Sequence, residues 1–282
     1  MRYVGPVYRP PSEADSYLLQ VTYGCSHNEC TYCAMYRHKS FSARPLAEVL
    51  EDVREAGRRF PGTRRVFLLD GDAMTLSTAK LAPILEALSA AFPDLHRVGS
   101  YVNAVSVLKK TDDELRRLRD LKLGIGYLGL ETGDPVTAER IVKGATVEEQ
   151  VEAVRRAQAA GIKMSVMVLL GMGGRDRSKE HAAATAEALS AMDPRYVSCL
   201  CVTPVEGTPL FEQVRRGSIF VALKCLESAL VDCHGLDVGR SARWRGCWRR
   251  WRRRSSPRPG CRGLCLACGL RLGRAAPLGL GV

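Results

Sequence analysis

Along the first 217 residues, apolar runs alternate with amphipathic stretches in a steady order. Apolar, β-branched or aromatic runs of strand length lie at 16–22, 65–70, 97–103, 124–131, 163–170 and 196–203. Between them the apolar positions take helical spacing. Leu46, Val49, Leu50 and Val53 share one face, as do Leu115, Leu118 and Leu121. Thr111 with Glu114 and Thr146 with Glu149 have the spacing of capping boxes, in which hydroxyl and carboxylate each satisfy an amide at a helix start. A short helix over 210–216 follows Pro209 and closes the series.

Strands separated by helices at intervals of roughly 30 residues predict crossover connections and a parallel sheet. A closed eight-fold barrel needs about 250 residues, more than this region holds. The expected fold is therefore α/β, a partial (β/α)6 TIM-like barrel over residues 1–217. In such a barrel the functional groups gather at the C-terminal ends of the strands.

The pattern then fails. Ile219, Leu223, Leu226 and Leu230 keep near-helical spacing, but from Val238 onward neither period is found. Charge divides at the same place. The chain has a net charge of +12, and that excess equals the twelve arginines between Arg240 and Arg274, a stretch without Asp, Glu or Lys that also holds all three tryptophans. The remainder is neutral, so the net charge does not mark the barrel as a nucleic-acid binder. Residues 218–282 form an atypical Arg/Cys/Trp-rich tail, and their residue types come from GC-rich codons, as in translation from a shifted frame or a disordered segment. The alternative is a genuine basic tail whose arginines and tryptophans bind RNA. Cys261, Cys265 and Cys268, with Cys247, offer four thiolates for a second cluster, though no strand precedes them.

No run of eighteen apolar residues is present, and the N-terminal stretch lacks the apolar core of a secretory signal. A cytoplasmic location with no membrane is expected, where cysteines stay reduced and serve metals or catalysis. Cys25, Cys30 and Cys33 fall directly after the first strand. Three such thiolates can hold three irons of a [4Fe–4S] cluster, leaving the fourth iron open to a ligand with amino and carboxylate groups. Structural zinc completed by His27 or His38 is the alternative, and unrelated buried thiols a third. Cys199 and Cys201 alternate on the sixth strand as small core residues. Gly124-Ile-Gly126-Tyr-Leu-Gly129 fits a dinucleotide fingerprint only literally, because it lies inside a strand. The basic run Arg37-His38-Lys39 reads as a solvated face, with a substrate role as the other possibility.

The segment Cys25-Ser-His-Asn-Glu-Cys30-Thr-Tyr32-Cys33 resembles the CxxxCxΦC motif of the radical S-adenosylmethionine superfamily, with one extra residue in the first gap. The words GCSHNECTYCAMYR resemble a bacterial subgroup without an assigned reaction. The fuller pattern, from about residue 5 to 215, is similar to the catalytic domain of the tRNA methylthiotransferases and of the elongator catalytic subunit. The resemblance implies that Cys25, Cys30 and Cys33 hold the cluster and that Tyr32 looks onto adenine. It implies cofactor-facing roles for Asp70, Gly71 and Asp72 after the second strand, where the carboxylates could receive an ammonium. A plain polar turn is the other reading there. Asn103 and Glu131 end the third and fourth strands at positions facing ribose or methionine, although Glu131 could instead cap the next helix. Gly171 and Gly173 form the glycine-rich turn after the fifth.

The function so implied is reductive cleavage of S-adenosylmethionine to a 5′-deoxyadenosyl radical, which abstracts hydrogen from a substrate that is small or macromolecular. Its cofactors are the [4Fe–4S] cluster and S-adenosylmethionine, and its electron donor a flavodoxin or ferredoxin. The rival function is a non-enzymatic zinc- and nucleic-acid-binding protein.

Overall fold

The computed structural model describes residues 2–217, and the readings of segment 218–282 lie outside the described residues. Eight strands run in chain order: β1 (Tyr17–Gln20), β2 (Thr22–Tyr23), β3 (Ser42–Ala43), β4 (Arg65–Leu69), β5 (Arg97–Tyr101), β6 (Leu123–Glu131), β7 (Lys163–Leu170) and β8 (Tyr196–Cys201). The helices are α1 (Leu46–Arg59), α2 (Thr78–Ala91), α3 (Ala104–Leu108), α4 (Asp112–Asp120), α5 (Pro135–Arg140), α6 (Val147–Ala159), α7 (Ser178–Met192) and α8 (Pro209–Arg215). β1, β4, β5, β6, β7 and β8 form one parallel sheet in that order. Among the described residues its edges, β1 and β8, do not meet, so the sheet is the open, partial TIM-like barrel that the alternation implies.

Side-chain alternation divides each strand between two environments. Val66 and Leu68 of β4 face one way, into the large core with Val49, Val53 and Ala56 of α1 and Leu81, Leu85 and Leu88 of α2. Phe67 and Leu69 face the other way and meet Ile125 and Tyr127 of β6. The N-terminal segment covers that second face. Val7 packs there, and Glu13, fully buried on a short 3-10 turn, accepts from Tyr127 Oη at 2.5 Å and from Arg97 at 2.6 Å.

Local signals explain the helix starts. Both capping boxes form, Thr111 with Glu114 and Thr146 with Glu149. Leu115 and Leu118 are buried on α4 as their spacing requires, whereas Leu46, the first residue of α1, is 37% exposed and leaves the apolar face to Val49 and Val53. Cys199 and Cys201 are exposed, not core residues, because β8 is a sheet edge with no further strand beside it among the described residues. No described helix is long and apolar enough to cross a membrane.

Candidate active site

β1 does not run on into the cysteine loop. The chain leaves the main sheet at Val21, and β2 pairs antiparallel with β3, so the 24–41 loop closes on a two-stranded ribbon. Gly24 takes φ +71, a left-handed turn that glycine adopts without strain. Its amide donates to Asp70 Oδ2 at 2.8 Å, and its carbonyl accepts from Gly71 N–H at 2.9 Å. The far side of the loop is tied equally firmly. Thr31 N–H donates to the Ile141 carbonyl, and Leu210 N–H donates to the Thr31 carbonyl, both at 3.0 Å. The loop that carries Cys25, Cys30 and Cys33 therefore lies over the C-terminal strand ends, held at β4 on one side and at α5 and α8 on the other.

Within the basic run Arg37 and His38 are exposed, as a solvated face requires, while Lys39 is part of this framework. Lys39 is buried, and its ammonium lies 3.1 Å from Asp70 Oδ2 and donates to the Pro6 carbonyl at 2.8 Å. It also sits 5.5 Å from the centre of the Tyr36 ring. Exposed Arg37 donates to the Cys33 carbonyl at 2.8 Å and to the Cys30 carbonyl at 2.6 Å. Asp70 is fully buried and receives Gln20 Nε2 at 3.0 Å besides Lys39 and Gly24. Its carboxylate is taken up by the protein itself.

Asp72 differs. It is fully buried, yet only Oδ2 is bonded, receiving Ser26 at 3.1 Å and the Ser106 hydroxyl, while Oδ1 has no partner. Burial pushes its pKa up to about 6, opposed by the Ser106 and Ser26 hydrogen bonds and by the nearby amides of Asn103, which lie outside hydrogen-bonding geometry. Asn103 Nδ2 donates to Ser26 Oγ at 3.2 Å, so the ends of β4 and β5 meet the residue beside Cys25. Gly71 is required by contact. A Cβ there would stand 2.6 Å from Cys25 Cβ and 2.9 Å from its Sγ.

On the other flank Glu131, at φ +65, accepts from Tyr32 Oη at 2.9 Å and pairs with Lys143 at 3.5 Å. It caps nothing; Asp134 caps α5 through the Thr137 amide and is clamped by one bidentate edge of Arg177, Nε and Nη2 each at 2.7 Å. Tyr32 packs beside Ile141, Met172, Val202 and Leu210, and burial with the nearby Glu131 carboxylate pushes its phenol well up. Gly171 takes φ +86 in a tight turn. Gly173 makes room for α7, since a Cβ would meet the Arg177 carbonyl and His181 Cβ at 2.7 Å.

Lys143 escaped the sequence analysis. It follows Val142, held at φ +54, and precedes Gly144 at φ +78, a turn whose one legible sign is the glycine. His27 Nε2 lies 2.6 Å from the Val142 carbonyl and its ring packs on Gly144, which commits it to this turn. Burial raises the thiol pKa of Cys30 and of Cys33, and the Lys143 charge opposes it in both.

These residues fit an iron–sulfur cluster with an attached cationic ligand. Three thiols lie close enough to perturb one another, an unpartnered carboxylate oxygen stands beside them, and Gly71 leaves Cys25 its clearance. One zinc ion would draw its ligands to within about 2.3 Å of itself. Among the described residues no three His, Cys, Asp or Glu side chains are gathered in that way. His27 faces Val142, and exposed His38 lies beside Gly5, so neither completes a zinc site.

A profile of the radical SAM superfamily matches residues 19–189. An uncharacterized methyltransferase of Pyrococcus horikoshii is 22% identical over 74% of this chain and 44% of its own length. A biotin synthase of Rhodopseudomonas palustris is 23% identical over 78% of this chain and 64% of its own. The chain thus spans less than two thirds of either relative. Among solved structures, methylornithine synthase superposes with a TM-score of 0.55 at 16% identity, covering 79% of this chain and 61% of that one. The methyltransferase TsrM of Kitasatospora setae, solved with cobalamin and a [4Fe–4S] cluster, gives 0.58 at 20% identity, covering 72% and 39%. At these identities the superpositions show the fold.

Proposed function

The chain belongs to the radical SAM superfamily, and from that premise we propose that Cys25, Cys30 and Cys33 hold the [4Fe–4S] cluster while S-adenosylmethionine lies between Asp72, Asn103, Tyr32 and Glu131. The superfamily consists of enzymes that use these two cofactors. When bound, the two would supply one-electron chemistry, in which an electron from an external donor reaches the sulfonium through the cluster and hydrogen is then abstracted from a substrate carbon.

The observation that carries this reading is the unpartnered oxygen of buried Asp72 beside the cysteine loop. A buried carboxylate with one free oxygen suits an arriving ammonium, which would favour its ionised form. Asp70, by contrast, acts as a positioning residue that fixes Gly24 ahead of Cys25. Lys143, near Cys30, Cys33 and Glu131, suits a ligand carboxylate, and Glu131 suits ribose hydroxyls. The apolar wall of Ile141, Met172, Val202 and Leu210 beside Tyr32 suits a purine. Gly171 lets the backbone turn closely beside that wall.

A reductant and a substrate are required; a flavodoxin or ferredoxin in the cytoplasm suits the reduced thiols. Residues 1–217 are the catalytic core in this reading. An anaerobic iron, sulfide and zinc assay on the reconstituted full chain, with paramagnetic resonance spectra before and after S-adenosylmethionine, tests it. About four irons per chain and a spectrum perturbed by the cofactor are expected. Cys30→Ala should lose both. Zinc without iron, or unchanged iron in Cys30→Ala, sinks the reading.

A further inference from the structure

A basin of about 730 Å³ opens at the N-terminal ends of the strands, the end opposite the cysteines. It is lined by Arg64, Arg65, Arg97, Arg119, Lys163 and His96. Asp15 is the one carboxylate among the lining residues. A chain whose first 239 residues are charge-balanced has gathered five cationic side chains at this mouth.

The cations are placed by the fold. Arg97 lies across Gly124, where a Cβ would stand 3.0 Å from its Cγ, and one edge of its guanidinium is held by buried Glu13 at 2.6 Å. Arg119 Nε donates to the Gly161 carbonyl at 2.9 Å, and Gly161 takes φ +86 to present it. Arg65 pairs with Asp15 at 3.0 Å. Arg64 Nη2 approaches His96 Nε2 at 3.4 Å. Each anchor uses part of a five-donor fork and leaves the rest toward the basin. Glu13 and Asp15 offset Arg97 and Arg65, while Arg64, Arg119 and Lys163 have no carboxylate partner among the ion pairs described.

We propose that this basin binds a small, multiply charged phosphate ligand, such as a polyphosphate or the phosphates of a nucleotide. Guanidinium forks match phosphate oxygens in paired contacts, which a single carboxylate would use less fully. The volume is within the range of small-molecule sites, roughly 300–1,000 Å³. The ligand lies a strand's length from the cysteines, so the site is separate from the radical chemistry and binds without the cofactors.

The test is acetylation of Lys163 in the full chain by an N-hydroxysuccinimide ester, read by peptide mass spectrometry at fixed ionic strength. Tripolyphosphate should protect Lys163 saturably and leave exposed Lys80 on α2 reactive. Arg64→Gln with Arg119→Gln keeps the twelve arginines of the 240–274 stretch and should raise the half-protecting concentration about tenfold or more, the weight of one charged contact. Arg64→Gln alone, on the exposed rim, should shift it in the same direction if the double variant fails to fold. No protection of Lys163 overturns the proposal. So does equal protection in the variants, or protection by a short single-stranded RNA without any by tripolyphosphate.

Discussion

Replacing Lys39 with Met should cost about 3 kcal/mol of stability, although it sits in a run of surface-type residues. The ammonium is 3.1 Å from Asp70, with the two side chains 5% and 0% exposed. Removing one member of such a buried pair leaves an uncompensated charge, worth about 3–5 kcal/mol. Asp70 keeps the Gly24 amide at 2.8 Å and Gln20 at 3.0 Å, which places the cost at the lower end. Asp70→Asn should cost a similar amount. Asn tolerates the φ of +66 found there, so the backbone is not confounded. The double variant removes both charges and should lose far less than the sum, a coupling of about 2–3 kcal/mol. Urea denaturation of the cluster-free protein reads all three. With a slope of about 2 kcal/mol/M, each single variant moves the midpoint by about 1.5 M. Single costs below about 1 kcal/mol, or costs that simply add, would refute the claim that this pair pins the cysteine loop.

Asp72→Asn tests the other carboxylate through pH. Its folded pKa, about 6, lies above the unfolded value near 3.9, so the stability it contributes is present at low pH and lost as pH rises from about 4 to 6. The variant should remove that decline, gain up to about 3 kcal/mol at pH 7, and bind S-adenosylmethionine more weakly by calorimetry; parallel pH curves would count against it. Gly71→Ala drives a Cβ to 2.6 Å from Cys25 Cβ and 2.8 Å from its Cα. It should cost about 1–3 kcal/mol and lower iron content after reconstitution, and full iron at unchanged stability would contradict the contact. Arg37→Gln removes the contacts to the Cys30 and Cys33 carbonyls. It should change stability by less than about 1 kcal/mol, yet speed cluster loss to a chelator, because it braces an exposed part of the loop.

The parallel strands were legible because length and apolar run agree. The expected 163–170 run is β7 itself, and 65–70 overshoots β4 by one residue. The ribbon of β2 and β3 was not legible, since two residues per strand carry no period. Nor was the role of Lys39. A charge run states nothing about its partner, and Asp70 lies 31 positions further along the chain. The polar strand ends were visible as a set, but their division of labour was not. Asp70 and Asp72 are two residues apart, and only packing separates the bonded carboxylate from the half-bonded one.

The glycines of β6 show why spacing misleads inside a strand. A fingerprint of three glycines predicts a phosphate turn when it opens a helix, and strand context alone removes that reading. What replaces it depends on neighbours in space. A Cβ on Gly129 would stand 2.0 Å from Glu131 Oε1, so this glycine seats the carboxylate on the cysteine side. Gly126 gives way to Met164 and Val102 in the interior. Gly124 leaves room for Arg97 at the opposite mouth. One strand thus shapes both ends of the sheet through side chains it lacks. Gly129→Ala and Gly124→Ala should accordingly separate, the first disturbing the Tyr32–Glu131–Lys143 group and the second the basic basin.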